Sequence, residues 1–192
     1  TLLALMLAFY ALCWLAAPAG SLATLPGHAP FLPPSLSHPL GTDDLGRDVL
    51  AALLQGGRTS MLAAGVATVI ALTIGIVVGL LAAIAGGLAD DLLMRLAHLV
   101  ASLPVLLLAL LAASLFGGSI ANLALLIGLT RWPVVARLTR IEARRLRTEP
   151  FHRAAVALGG SPWHVARRHL LPNAVTPALS GAGVVFAGAV LT

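Results

Sequence analysis

The chain has 192 residues, 59% of them hydrophobic and 10% charged, with a formal net charge of +5 and a mean hydropathy of +0.97. A soluble domain carries about 25% charged residues to wet its surface, so a water-soluble globular fold is excluded and the bilayer is the expected solvent. The sequence pI of 11.3 does not make it a nucleic-acid binder, because nine of the twelve arginines fall in one block, Arg131 to Arg168, the usual mark of a cytoplasmic loop.

Taken in chain order, residues 1–20 predict a first transmembrane helix, apolar from Leu2 to Ala17 with Tyr10 and Trp14 as interface anchors. A signal peptide is the rival reading, favoured by Ala17-Pro18-Ala19 and opposed by the lack of a basic n-region. Cys13 is the single cysteine, so no intrachain disulfide is possible. Residues 21–59 read as an extracytoplasmic loop stiffened by Pro26, Pro30, Pro33, Pro34 and Pro39. Within it, "HPLGTDDLGRDVLAALLQGGR" predicts a short helix around Asp44–Leu54, capped by Thr42 or Asp43 and ended by Gly56-Gly57.

Residues 60–192 are expected to form a helical core with spans at about 61–86, 92–116, 120–136 and 174–192. Gly75 and Gly79 form a GxxxG that favours close helix packing. Gly87–Asp91 reads as a short turn, and Asp91 and Arg95 are spaced to pair on one helix face. Pro104 interrupts the next span, and Gly117-Gly118-Ser119 connects it to the following one. That helix continues as "ARLTRIEARRLRTE", where Arg137, Arg140, Arg144 and Arg147 share a face. Such a face is ordinarily solvated or near anionic headgroups, and contact with a partner subunit is the alternative. With Arg137–Arg168 cytoplasmic, residues 21–58 and Gly117–Ser119 lie outside, and Gly87–Asp91 and Thr1 inside. The chain opens on Thr1 and closes at Thr192 without a polar flank, so further sequence is expected at both ends.

Several chemistries are excluded. There is no lysine, so no P-loop can form and ATP is not hydrolysed in that way. Every Asp and Glu lies outside the apolar cores, which disfavours an ion-driven pump, while Arg95, His98 and Arg131 are read as snorkelling near cytoplasmic span ends. "GGSPW" is not a G-x-S-x-G elbow. His164 and His169 diverge by about 140° around a helix and His28 and His38 lie in an irregular loop, so no metal site is expected. No catalytic, cofactor-binding or metal residue is assigned.

The remaining feature is residues 150–172, "PFHRAAVALGGSPWHVARRHLLP". Pro150 opens a helix with Phe151, Ala155 and Leu158 on its apolar face, and Gly159-Gly160 ends it. Ser161 caps a second helix with Pro162 at its first position, Trp163, Ala166 and Leu170 on one edge, and Pro172 as its close. The result is a helical knob between two spans.

This stretch resembles the EAA loop of ABC-importer membrane subunits, in which E-A-A, three residues, G, nine residues, I, one residue and L-P recur. Ala154, Ala155, Gly159, Leu171 and Pro172 match, while Arg153 replaces the glutamate and His169 the isoleucine. "HPLGTDDLGRDVL" at His38–Leu50, "GGLADDLLMRLAHLVASLP" at Gly86–Pro104 and "LTRWPVVARLTR" at Leu129–Arg140 are similar to the dipeptide, oligopeptide and nickel permease group. The resemblance implies an all-α, polytopic membrane protein with about five transmembrane helices here and the type I ABC-importer permease fold. It implies a non-catalytic permease subunit in the plasma or inner membrane that forms the path for peptides, with nickel or a metal chelate as the alternative cargo. The implied partners are a second permease, generally a different but related chain, two cytoplasmic ATP-binding subunits, an extracytoplasmic substrate-binding protein and membrane lipid. Arg153, Ala154, Ala155, Gly159, Ser161, Pro162, Leu171 and Pro172 would make the ATPase-coupling loop, and Gly41, Thr42, Asp43, Gly46, Arg47 and Asp48 the extracytoplasmic family motif. The rivals are a non-transporting membrane scaffold and a secondary transporter, which would work without an ATPase partner.

Overall fold

In a computed structural model, residues 29–191 are described; the span expected at residues 1–20 lies outside them. Among the described residues there is no β-strand, only an isolated bridge between Thr42 and Asp48. The chain divides into two units, Thr1–Leu62 and Ala63–Thr192.

In the first unit, the loop folds on its own side chains. The Thr42 hydroxyl donates to the Ala29 carbonyl at 2.7 Å and accepts from the Leu32 amide at 2.8 Å. Asp43 Oδ1 accepts from the amides of Leu45 (2.9 Å) and Arg47 (2.8 Å), which closes an Asx turn through Gly46 at φ +71°. Asp48 then caps helix α1 (Val49–Ala85), its Oδ1 accepting from Leu50 N (2.8 Å) and Ala51 N (3.1 Å). The short helix expected at Asp44–Leu54 is therefore not a separate element. Its cap is neither Thr42 nor Asp43, both engaged in the turn, and α1 runs straight through Gly56 and Gly57. An interior glycine costs a helix about 1 kcal/mol, too little to end one that continues into a long apolar run.

In the second unit, α1 ends at Ala85, and Gly86 at φ +61° starts α2 (Gly87–Ser102) directly. Asp90 and Asp91 thus stand in a helix rather than in the expected turn. Leu103 adopts extended ψ 129° before Pro104, the conformation a following proline imposes. Helix α3 (Val105–Phe116) accordingly leaves α2 at a bend of 76°, which breaks the span expected over 92–116. Ser119 caps α4 (Ile120–Arg147), its hydroxyl accepting from Asn122 N at 3.1 Å. The knob follows as α5 (Pro150–Ala157), α6 (Pro162–Val165) and a π turn (Ala166–Leu170), which leads into α7 (Leu171–Val190). α1, α4 and α7 are each long and apolar enough to cross a membrane, and α2 with α3 makes a bent fourth.

Small residues let these helices touch. A methyl group at Gly75 would lie 2.5 Å from Val135 Cβ, and one at Gly79 would overlap the Ala136 carbonyl oxygen, so the GxxxG of α1 seats on α4. Gly128 meets Ile70 and Ala67 in the same seam. The main core gathers Ala71, Ala82, Met94, Ala97, Trp132, Val135, Ala136, Ala178 and Val185.

Candidate functional site

The knob is built from two local stops. α5 opens with Pro150 at its first position, where a missing amide costs nothing. At its end the Gly160 amide donates to Ala155 O (3.1 Å) and the Gly159 amide to Val156 O (2.9 Å), with Gly159 at φ +84°. This paired arrangement is a Schellman motif, and its left-handed position suits glycine. The Ser161 hydroxyl accepts from His164 N at 3.3 Å and starts α6. A methyl group at Gly160 would lie 2.8 Å from Ala155 O and 2.9 Å from Val165 Cγ2, whereas one at Gly159 would meet nothing within 4 Å among the described residues. Close approach thus falls on Gly160 and backbone conformation on Gly159.

The second helix of the knob does not close at Pro172. It widens into the π turn, in which Leu171 N reaches back to Ala166 O, and α7 continues from there. Proline lacks an amide and crowds the carbonyl of the preceding turn, so the extra residue accommodates Pro172 without ending the helix.

One side of the knob is mounted. Ala166 and Leu170 are buried with Leu80 and Ala83 of α1 and Ala143 and Leu146 of α4, with Leu171 against the edge of the cluster. The other side is more open. Phe151 is 40% exposed and Leu158 89%, at a shallow apolar depression lined also by Ala155 and Val165. Arg153 and Ala154 are exposed beside it and Ala155 is half-buried.

Beneath the knob lies an ionic layer that sequence spacing missed. Asp90 is 1% exposed; its Oδ1 accepts from Arg140 Nε at 2.5 Å, its Oδ2 from Arg140 Nη2 at 2.6 Å, and Arg144 Nη2 also donates to Oδ2. Arg147 donates to the carbonyl of Ala83 in the last turn of α1, where a cation complements the helix dipole. The arginine face is thus occupied within the chain at three of its four positions rather than left to solvent. Asp91–Arg95 is not among the described ion pairs; the neighbouring Asp90 takes the partners instead. The available signal was an acidic residue in the first turn of a helix entering after Gly86-Gly87.

Arg131 lies about 24 Å along α4 before its end at Arg147, at about 1.5 Å per residue.

In the first unit the six motif residues are architectural. Gly41 at φ +75° passes so close to the Leu32 carbonyl that a methyl group would overlap it. Thr42, Asp43 and Gly46 form the turn, and Arg47 returns Nε to Asp43 Oδ2 at 2.8 Å. Asp48 caps α1 and receives His38 Nδ1 at 2.9 Å. The Arg47 amide and guanidinium hold the Asp43 carboxyl below its ordinary range, and the His38 hydrogen bond does the same for Asp48.

Residues 75–192 match the family described as "Binding-protein-dependent transport system inner membrane component". The chain is 36% identical over 163 residues to the probable D,D-dipeptide transport system permease protein DdpC of Escherichia coli (strain K12), covering 85% of this chain and 55% of that one. It is 43% identical over 157 residues to the dipeptide transport system permease protein DppC of the same strain, covering 82% and 52%. A putative peptide permease protein of Brucella abortus biovar 1 (strain 9-941) is 33% identical over 158 residues, covering 82% and 52%. The chain spans about half the length of the curated relatives it matches.

Proposed function

Because the chain belongs to the family of binding-protein-dependent transport system inner membrane components, multi-pass membrane proteins, we propose that it is a permease subunit of an ATP-driven peptide importer. On this reading it pairs with a second, related permease to form the path, receives substrate from an extracytoplasmic binding protein and carries no catalytic group of its own. Two cytoplasmic ATP-binding subunits supply the energy. Peptides are favoured over nickel because the relatives named above are peptide or dipeptide permeases.

The observation that carries the reading is the two-sided knob. Leu158 stays exposed where nothing among the described residues covers it, while Ala166 and Leu170 are locked to the ends of α1 and α4. A groove on an ATP-binding subunit that takes the exposed side would pass its displacement to two membrane helices through the buried side. Arg153, Ala154 and Ala155 would face that groove, Gly159, Ser161 and Pro162 would hold the turn, and Leu171 and Pro172 would join the knob to α7. The knob and the Asp90–Arg140 layer are then cytoplasmic, and the Gly41–Asp48 turn faces outward to the binding protein.

The test is co-purification of the full-length chain and its permease partner with the ATP-binding subunits, comparing wild type with Leu158→Glu. Since Leu158 is 89% exposed, the substitution leaves the chain's own packing intact. It is expected to weaken the complex and uncouple ATP hydrolysis from peptide uptake. Undiminished complex and coupling would refute the docking role.

A further inference from the structure

We propose that Arg131 forms a carboxylate-binding station on the translocation path, engaging the C-terminal carboxylate of the passing peptide; the proposal rests on the peptide-import reading above. Arg131 lies about 16 Å along α4 from its start at Ile120, near the middle of a hydrocarbon layer about 30 Å thick. Side chains on a helix lean toward its N-terminus, so its stem rises away from the Asp90–Arg140 layer rather than toward it.

No anion answers this cation among the described residues. Its Nε is buried without a hydrogen-bond partner, and it takes part in none of the described ion pairs. α7, packed against this stretch of α4, carries no charged residue from Leu171 to Val190, and neither does α1 from Ala63 to Ala85. The charged groups of α2 are Asp90, Asp91, Arg95 and His98, and Asp90 is already committed to Arg140 and Arg144.

Arg131 is half-buried. A methyl group built at Gly188 would lie 3.7 Å from Arg131 Cζ and Nη1, so the guanidinium packs against α7 at a point where that helix has no side chain. An arginine at this depth costs several kcal/mol against lipid and is retained where it faces a wet cavity or a ligand. A planar guanidinium matches a carboxylate in a bidentate fork through Nε and one Nη, and here Nε has no partner among the described residues. In a peptide path, that carboxylate is the end group every linear peptide has.

The experiment uses the complete transporter in proteoliposomes with its binding protein. Uptake of a linear peptide is compared with uptake of its C-terminal amide, each supplied at the concentration that fills the binding protein equally. Wild type is expected to favour the free peptide by about tenfold, the equivalent of one charge-assisted hydrogen bond pair. Arg131→Gln is expected to bring the ratio close to one, and Arg131→Lys to keep a clear preference. A wild-type ratio of one overturns the proposal. So does a glutamine variant that slows both peptides in parallel, which would make Arg131 the ion partner of a neighbouring chain. Should the glutamine variant fail to assemble, the wild-type ratio and the lysine variant decide. A wild type that imports neither peptide with its ATP-binding subunits bound would sink the import reading itself.

Discussion

The carboxylate of Asp90 grips the guanidinium of Arg140 with both oxygens across fifty residues of chain. The bond joins the first turn of α2 to the last third of α4, directly under the knob. Removing one partner of a buried pair leaves the other charge uncompensated, which costs about 3 kcal/mol. Asp90→Asn is expected to lower the midpoint of thermal unfolding of the detergent-solubilised complex by several degrees. Arg140→Gln combined with it should cost much less than the sum of the two, as measured in a double-mutant cycle. Additive losses would mean that the pair does not act as a unit.

The seam between α1 and α4 depends on two glycines and not on a third. Gly79→Leu would drive a side chain into the Ala136 carbonyl and Thr139, and Gly75→Leu into Val135 and Trp132. Both are expected to reduce the amount of folded protein recovered from membranes severalfold. Gly65→Ala, on the same helix but with nothing within 4 Å among the described residues, is expected to have no effect. Comparing the three by size-exclusion chromatography separates a packing role from a general intolerance of α1.

Gly159 and Gly160 should respond differently to the same substitution. Gly159→Ala forces a side chain into the left-handed region at a cost of about 1–2 kcal/mol, and Gly159→Asn should recover part of it. Gly160→Ala instead meets Ala155 O and Val165, so asparagine there should be worse than alanine. Rates of proteolysis between α5 and α6 read the two orders directly.

The outer turn should open in acid. Asp43 and Asp48 ionise more readily in the folded loop than in a free chain, chiefly through the Arg47 amide and the His38 ring respectively. Their stabilisation is complete above the ordinary carboxyl value of 3.8 and is lost as pH falls through the lower folded values. Pepsin cleavage near Leu45, which is 64% exposed, is therefore expected to accelerate below that pH. His38→Ala removes the main cause at Asp48 and should move the onset upward in pH.

What could be read along the chain was what neighbouring residues decide. Pro150, Gly159-Gly160 and Ser161-Pro162 act over three or four positions, so the two stops of the knob were legible before any fold was known. Asp90 was not, because its partners lie on a helix that only tertiary packing brings near, and i+4 spacing pointed to Asp91 and Arg95 instead. The long α1 was missed for the opposite reason. Gly56-Gly57 carries a local stop signal, and the apolar run beyond it overrides that signal through cooperativity that no short window contains. Pro172 belongs with them, since a π turn absorbs a residue that usually ends a helix.

That widened turn at Ala166–Leu170 has a consequence for phase. It holds one residue more than an α-turn, so everything beyond it is rotated by about 100° from the azimuth an unbroken helix leaving Pro162 would give. The seating of Gly181 on Leu138 and of Gly188 beside Arg131 exists only at that azimuth. Were the turn to relax to ordinary α geometry under load, the last helix would screw by a quarter-turn relative to the knob and present a different wall to whatever lies alongside. A rod with one slack coil can thus convert a push at its handle into a twist at its shaft.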